Sequence, residues 1–171
     1  MAAPLQVIAL ISGGKDSLFS LLHSLANNHH IIALANLCPP TPPTSLPPES
    51  PTDLNSYMYQ TVGYTLLPHY STVLSLPLYR HPIMGSSVNT EKDYSAPSCD
   101  KENDAVSSDE TEDLIPLLRK VLAAHPSANA LCTGAILSTY QRTRIESVAL
   151  RLHLIPLSYL WEYPSLPTPI P

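Results

Sequence analysis

A single chain of 171 residues is long enough to bury one hydrophobic core and too short for two full ones. Its composition, 44% hydrophobic and 13% charged with a formal charge of -5, supports a packed body and offers no basic stripe for a nucleic acid. The apolar start at residues 7–11 is too short to span a membrane, and Cys38, Cys99 and Cys132 form no C-x-x-C pair; neither a disulfide framework nor a zinc site is expected, and a reducing cytoplasm is the simplest home.

In chain order, residues 7–11 read as a buried strand ending at Ser12-Gly13-Gly14, after which Leu18, Leu21, Leu22 and Leu25 recur at helical spacing. A second apolar run, 31–37, follows the Asn27-Asn28-His29-His30 turn, so the opening unit is strand, helix, strand with a right-handed crossover. Seven of the 19 prolines then crowd into an extended insert at 39–51. Asp53 is placed to cap a helix carrying Leu54, Met58, Val62 and Leu66 that stops near Pro68, and residues 73–79 read as a third strand.

Residues 89–113 hold nine of the 14 acids and two lysines, so the acidity is assigned to a solvated insert and the remaining body is mildly basic. Asp113 is expected to cap a helix with Pro116 in its first turn and Leu114, Leu117, Leu118 and Val121 on its buried face. Residues 130–137 read as a fourth strand, Ile145, Val148, Ala149 and Leu152 mark a helix, and 154–158 read as a short fifth strand. This alternation predicts an α/β fold: a Rossmann-like, doubly wound parallel sheet covered on both faces, a three-layer sandwich. One domain is expected over 1–161, with inserts at 39–51 and 89–113 and a proline-rich tail at 162–171 through which helix and sheet cannot propagate.

In such sheets the turn after the first strand is the usual phosphate cradle, and here it reads Ser12-Gly13-Gly14-Lys15-Asp16-Ser17. The glycines remove Cβ atoms that would keep phosphate oxygens from the backbone N–H groups, and a helix opening near Ser17 adds its positive dipole end. Ser12 and Ser17 offer hydroxyls and Lys15 a point charge, while Asp16, which would repel a bare phosphate, is a candidate Mg²⁺ ligand. A Walker A loop is excluded because Ala9 stands where its first glycine belongs and Asp16 where its Ser or Thr belongs.

A second polar cluster falls where the fourth strand delivers its C-terminal end. Gly134 allows close backbone approach, Ser138 and Gln141 offer neutral hydrogen bonds, Arg142 and Arg144 suit phosphate or a carboxylate, and Glu146 suits ammonium. The blander alternative is a polar helix start whose arginines are solvated or pair with Glu146. For Tyr57, Tyr59 and Gln60, packing explains the pattern as well as substrate contact does, and Cys38 is read as a small buried hydrophobe.

Ser-Gly-Gly-Lys-Asp-Ser resembles the signature of the PP-loop ATP pyrophosphatases, of the adenine nucleotide alpha hydrolase-like fold, which cleave ATP between the α and β phosphates. Four further blocks narrow the resemblance: Ser56-Tyr57-Met58-Tyr59-Gln60-Thr61-Val62-Gly63; Leu76-Pro77-Leu78-Tyr79-Arg80; Gly134-Ala135-Ile136-Leu137-Ser138 with Tyr140-Gln141-Arg142-Thr143-Arg144-Ile145-Glu146; and Pro156-Leu157-Ser158-Tyr159-Leu160-Trp161. In this order they resemble the diphthine–ammonia ligase family over nearly all of the chain outside the inserts and tail.

The resemblance implies ATP-dependent amidation of diphthine on translation elongation factor 2, with ammonium as nitrogen source and Mg²⁺ as metal. A carboxylate oxygen would attack the α-phosphate to give an acyl-adenylate and pyrophosphate, and ammonia would displace AMP. Lys15, Asp16, Arg142 and Arg144 are then the expected catalytic residues; Ser12, Gly13, Gly14, Lys15, Asp16, Ser17, Gly134, Ser138 and Gln141 bind the nucleotide; and Asp16 holds the metal. Thr139 stands where the family often carries Asp. Family members also continue beyond the Tyr-Leu-Trp block, so the expectation is a shortened member with weak or no turnover. Two other classes share the first motif. An RNA-modifying or sulfur-transferring PP-loop enzyme calls for basic surface or reactive cysteines that this sequence lacks, and the other class is an inactive nucleotide-binding remnant.

Overall fold

The first apolar run forms β1 (Gln6–Leu10), and the glycine turn leads into α1 (Lys15–Ala26), β2 (His30–Cys38), α2 (Leu67–Leu74) and β3 (Leu78–Pro82). There follow α3 (Leu114–Ala124), β4 (Ala130–Cys132), α4 (Thr139–Arg151) and β5 (Ile155–Leu157). The computed structural model describes residues 3–40, 63–89, 91, 93–94 and 109–161; the expected helix from Asp53, Tyr57, Tyr59, Gln60, Cys99 and the proline-rich tail lie outside them. Among the described residues no helix is long and apolar enough to cross a membrane.

All five strands pair in parallel in the order β3-β2-β1-β4-β5, and Ile32 is bulged where the β1–β2 register shifts after Val7 and Ile31. Because side chains alternate along a strand, β1 sends Val7 and Ala9 to one face and Ile8 to the other. The first face packs on Leu21 of α1 and Leu67 of α2; the second packs on Leu114, Leu117, Leu118 and Val121 of α3 and on Ile145, Val148 and Ala149 of α4. The expected Rossmann-like, doubly wound α/β sandwich is the observed fold. The chain leaves β1 for β2 on one side and returns to β4 on the other, which opens a crevice beyond the carboxyl ends of the strands.

Three element boundaries differ from the sequence reading. Pro68 was expected to end a helix, yet it lies in the first turn of α2, where its missing N–H is no loss. Leu67, Tyr70 and Leu74 form the inner face of that helix, so residues 73–77 are not strand: a left-handed Ser75 (φ 53°) closes α2, Val73 stays 79% exposed, and β3 begins at Leu78. The fourth strand stops at Cys132, because Thr133–Leu137 turns off the sheet into the loop before α4.

α1 turns a different face inward from the one its leucines suggest. Ser17, Ser20, Leu21 and Ser24 are buried, whereas Leu22 and Leu25 are exposed. Each inward hydroxyl is satisfied locally or by the sheet edge: Ser17 Oγ donates to Gly14 O (2.9 Å), Ser20 Oγ to Thr133 O (2.8 Å) and Ser24 Oγ to Ser20 O (3.0 Å).

The largest correction concerns the acidic segment, whose C-terminal end is built into the fold. Asp109, Glu110 and Asp113 are 6%, 2% and 7% exposed in and beside a 3-10 turn, Glu110–Asp113, that runs into α3. Asp113 stands at the N-cap position of α3, as expected, but makes no side-chain capping bond there; Asp109 caps the 3-10 turn, accepting from Thr111 N at 3.0 Å and also from Asn89 N at 3.0 Å. Asp113 instead accepts from Met84 N and Gly85 N at 2.8 and 2.9 Å, and Glu110 accepts from the Ser87 hydroxyl at 2.8 Å. Once the chain leaves β3 its backbone donors have no ladder partner, and these carboxylates supply the acceptors. Glu112 joins the same clasp, receiving both terminal nitrogens of Arg151 (2.8 and 2.9 Å) and the Tyr94 hydroxyl (2.6 Å).

Burial alone would raise the Asp109 and Glu112 carboxyls. For Asp109, the bonds from Thr111 and Asn89 together with the Arg144 charge win and hold it below the ordinary range; for Glu112, Arg151 and Tyr94 do the same. A carboxyl depressed in the folded state contributes stability that is full above its unfolded value near 4 and is lost as pH falls through the folded value. Asp109→Ala is therefore expected to cost about 1–3 kcal/mol at neutral pH. The gap in melting temperature from the parent chain, followed by circular dichroism, should narrow below about pH 4; a gap independent of pH would contradict the clasp.

Candidate functional site

The crevice is lined where β1, β2 and β4 end. Leu10 to Ser12 come from β1 and its turn, Ala35 to Leu37 from β2, Thr133 to Ala135 from beyond β4, and Gln141 and Ile145 from α4; Leu114, Gly14, Asp16 and Ser17 complete the wall. It encloses about 170 Å³, less than the roughly 300–1,000 Å³ of complete small-molecule sites.

Two glycines allow close backbone contacts beside the crevice. Gly13 sits at φ +84°, where a side chain is strained, and a Cβ there would collide with the Gly63 backbone. Gly134 was expected to allow close backbone approach, and the backbone that approaches is the first turn of α1, since a Cβ would lie 2.5 Å from Ser17 N and 2.7 Å from the Asp16 carbonyl carbon. The β4–α4 loop is thus seated against the start of α1, which begins at Lys15, two residues before the expected start.

Inside the turn, Ser12 N donates to Ser17 Oγ (3.2 Å), Gly14 N donates to Ser12 Oγ (3.3 Å), and the two hydroxyl oxygens are 3.3 Å apart. The serines therefore shape the loop as well as facing the crevice. The first N–H groups of a helix have no intrahelical acceptor, and those of Lys15, Asp16 and Ser17 find no other among the described residues. Gly14 caps the helix in extended geometry without a side-chain bond, which keeps the amides clear of a competing oxygen.

Of the residues singled out from sequence, Ser12, Gly14, Asp16, Ser17, Gly134 and Gln141 share the crevice. Lys15 stands at its rim with its side chain 86% exposed and Nζ 2.8 Å from Asp16 Oδ1. Ser138 caps α4, accepting from Gln141 N at 3.3 Å. Arg142 turns to a separate hollow, stacking 3.8 Å from the Trp161 ring centre with Nε 2.5 Å from Glu146 Oε1.

Arg144 is fully buried away from the crevice wall. Its terminal nitrogens donate to the carbonyls of Asn89 (2.5 Å), Glu91 (3.1 Å) and Tyr140 (3.2 Å), and its guanidinium lies 3.4 Å from the Tyr140 ring centre. The contact with phosphate or carboxylate expected of it gives way to this arrangement, because a buried guanidinium needs acceptors and its terminal nitrogens find them in the carbonyls of Asn89, Glu91 and Tyr140.

Sequence reasoning passed over Asn36. It is 3% exposed, donates to Ile11 O at 2.9 Å and leaves its Oδ1 without a partner at the crevice wall. The signal was available: a lone amide in an otherwise apolar buried strand. The half-buried Cys38 lies outside the crevice wall, its thiol 3.5 Å from His81 O. Burial pushes the Cys132 thiol up to about 11.

No protein-family model matches the chain. Curated relatives do. The diphthine–ammonia ligase of Schizosaccharomyces pombe is 45% identical over 158 residues, 92% of this chain and 23% of that protein. That of Saccharomyces cerevisiae is 43% identical over 92% of this chain and 21% of its own length, and that of Homo sapiens is 42% identical over 92% of this chain and 54% of its own. The chain thus spans between about a fifth and a little over half of the length of these relatives. Across the matched span it is homologous to the diphthine–ammonia ligases.

Proposed function

We propose that this chain is an ATP-binding domain of diphthine–ammonia ligase type, serving the MgATP-dependent amidation of diphthine on translation elongation factor 2 in the cytoplasm. The observation that carries the reading is the cradle itself: amides of Lys15, Asp16 and Ser17 that find no acceptor among the described residues, beside a crevice, and set in place by the close backbone contacts that Gly13 and Gly134 allow, in a chain 42–45% identical to such ligases. When bound, ATP supplies the adenylyl group that converts an unreactive carboxylate into a mixed anhydride, with pyrophosphate leaving.

This chain's residues supply the electrostatics. The amides at the start of α1 and the Ser12 and Ser17 hydroxyls offer donors to anionic oxygens, fixed in place before any charge develops. Lys15, ion-paired with Asp16 in the chain as it stands, would add its charge to a bound phosphate, and Asp16 would be the residue to hold Mg²⁺. One carboxylate plus phosphate oxygens is an ordinary Mg²⁺ environment.

Leu37, Leu114 and Ile145 provide an apolar wall that keeps water from the anhydride. Arg144 is a positioning residue that acts through α4, whose Gln141 reaches the crevice. A sulfur-transferring enzyme would need a thiolate, and burial of the Cys132 thiol disfavours one at that position.

Calorimetric titration with MgATP tests the reading. Lys15→Ala should weaken binding about ten- to hundredfold, the range for a hydrogen bond to a charged group, and should leave the melting temperature unchanged because the side chain is 86% exposed. Asp16→Asn should raise the Mg²⁺ concentration needed for half-saturation without loss of fold. A parent chain that does not bind MgATP would end the proposal. In cells lacking diphthamide, restoration of the modification by the parent chain but not by Lys15→Ala would extend it to catalysis, and ATP binding without AMP release would favour a nucleotide-binding role instead.

A further inference from the structure

Beyond the end of β5 lies a second, polar hollow, lined by Arg142, Glu146, Pro156, Ser158, Tyr159 and Trp161 and enclosing about 330 Å³. Consecutive helix residues point about 100° apart, so Gln141 faces the crevice while Arg142 faces this hollow. The two sites flank the first turn of α4.

Three of the groups on its wall can donate hydrogen bonds that nothing in the described chain accepts. Ser158 Oγ and Trp161 Nε1 are buried without a partner. Arg142 spends Nε on Glu146, and its other two nitrogens find no acceptor among the described residues. Buried polar groups are ordinarily satisfied. An indole N–H and a guanidinium can only donate, so the missing complement is an acceptor with more than one oxygen.

Charge narrows the choice. Glu146 already offsets the Arg142 charge at 2.5 Å, which suits a monoanion and disfavours a dianion. The free edge of a guanidinium matches the two oxygens of a carboxylate. Pro156 and the rings of Tyr159 and Trp161 offer apolar surface for an aliphatic stem, since the Tyr159 hydroxyl is already engaged 3.0 Å from His29 Nε2.

We infer that this hollow is a docking site for a carboxylate on an aliphatic stem, held by Arg142, Ser158 and the Trp161 indole N–H. Its assignment to the acid that the enzyme activates rests on the ligase reading above. The guanidinium lies on the indole, and Arg142 and Glu146 are about one-third exposed, at 33% and 28%, so a ligand can enter by drawing the guanidinium aside.

Trp161 is the chain's one tryptophan, so its emission reports on the hollow directly. The full chain would be titrated with sodium acetate, sodium phosphate and ammonium chloride, each against sodium chloride at matched ionic strength. Acetate should give a saturable change that Arg142→Gln abolishes and Ser158→Ala weakens about tenfold, with both variants melting like the parent. Lys15→Ala should leave the acetate response intact. Absence of an acetate response beyond that of chloride would overturn the inference, as would tighter saturation by phosphate, or by ammonium read through Glu146. Acetate saturation in a chain that fails to bind MgATP would uphold the hollow and remove the ligase reading; MgATP binding without an acetate response would do the reverse.

Discussion

The site depends on two backbones meeting without side chains between them. Gly134, at the end of the β4 segment, lies against the Asp16–Ser17 peptide, and Gly13 lies against Gly63. These contacts fix how the first turn of α1 sits relative to the ends of β1 and β4. The direction of the α1 amides, and hence what the crevice can hold, follows from them. The hydroxyls of Ser12 and Ser17 complete the arrangement by bonding the turn to itself. The crevice is therefore shaped mainly by main-chain geometry.

Behind the crevice, the acidic turn and Arg144 form a second level of constraint. Asp109 and Asp113 accept from the backbone N–H groups of Met84, Gly85 and Asn89, Arg144 donates to the carbonyls of Asn89 and Glu91, and the Tyr94–Glu112–Arg151 contacts join the turn before α3 to α4. Leu114 follows that turn and Ile145 follows Arg144, and both line the crevice. Charges that look like solvent-facing surface in the sequence thus hold two apolar wall residues in register. A buried arginine among carbonyls and rings is costly to leave half-paired, which accounts for how many partners surround it.

Fold class was legible because parallel strands buried on both faces read as continuous apolar runs, as at 7–11 and 31–37. The glycine turn was legible because Gly-Gly between strand and helix has few other uses. The faces of α1 were not, since leucine spacing alone points to Leu22 and Leu25, and only the sheet edge at Thr133 explains why the serines turn inward. Pro68 misled because a proline that ends one helix and one that starts another look alike without the downstream Leu67-Tyr70-Leu74 pattern. The acidic segment misled for a deeper reason: whether a carboxylate is solvated or buried depends on unpaired backbone donors from a distant stretch, which composition does not encode. Arg142 and Arg144, two residues apart, went to different environments because two helical positions are separated by about 200°.

The serine face of α1 also bears on how this domain tolerates change. Ser17, Ser20 and Ser24 are small enough for the helix to lie close to the sheet, and their hydroxyls are spent on nearby carbonyls. Replacing them with valine or leucine would look like an improvement to any scheme that rewards greasier interiors. The added bulk would instead lever the helix outward and carry its opening peptide away from Gly134. Drift toward a bulkier, more conventional interior is thus opposed here by the need to keep one helix end in place, and close packing and the position of that end favour the same small residues.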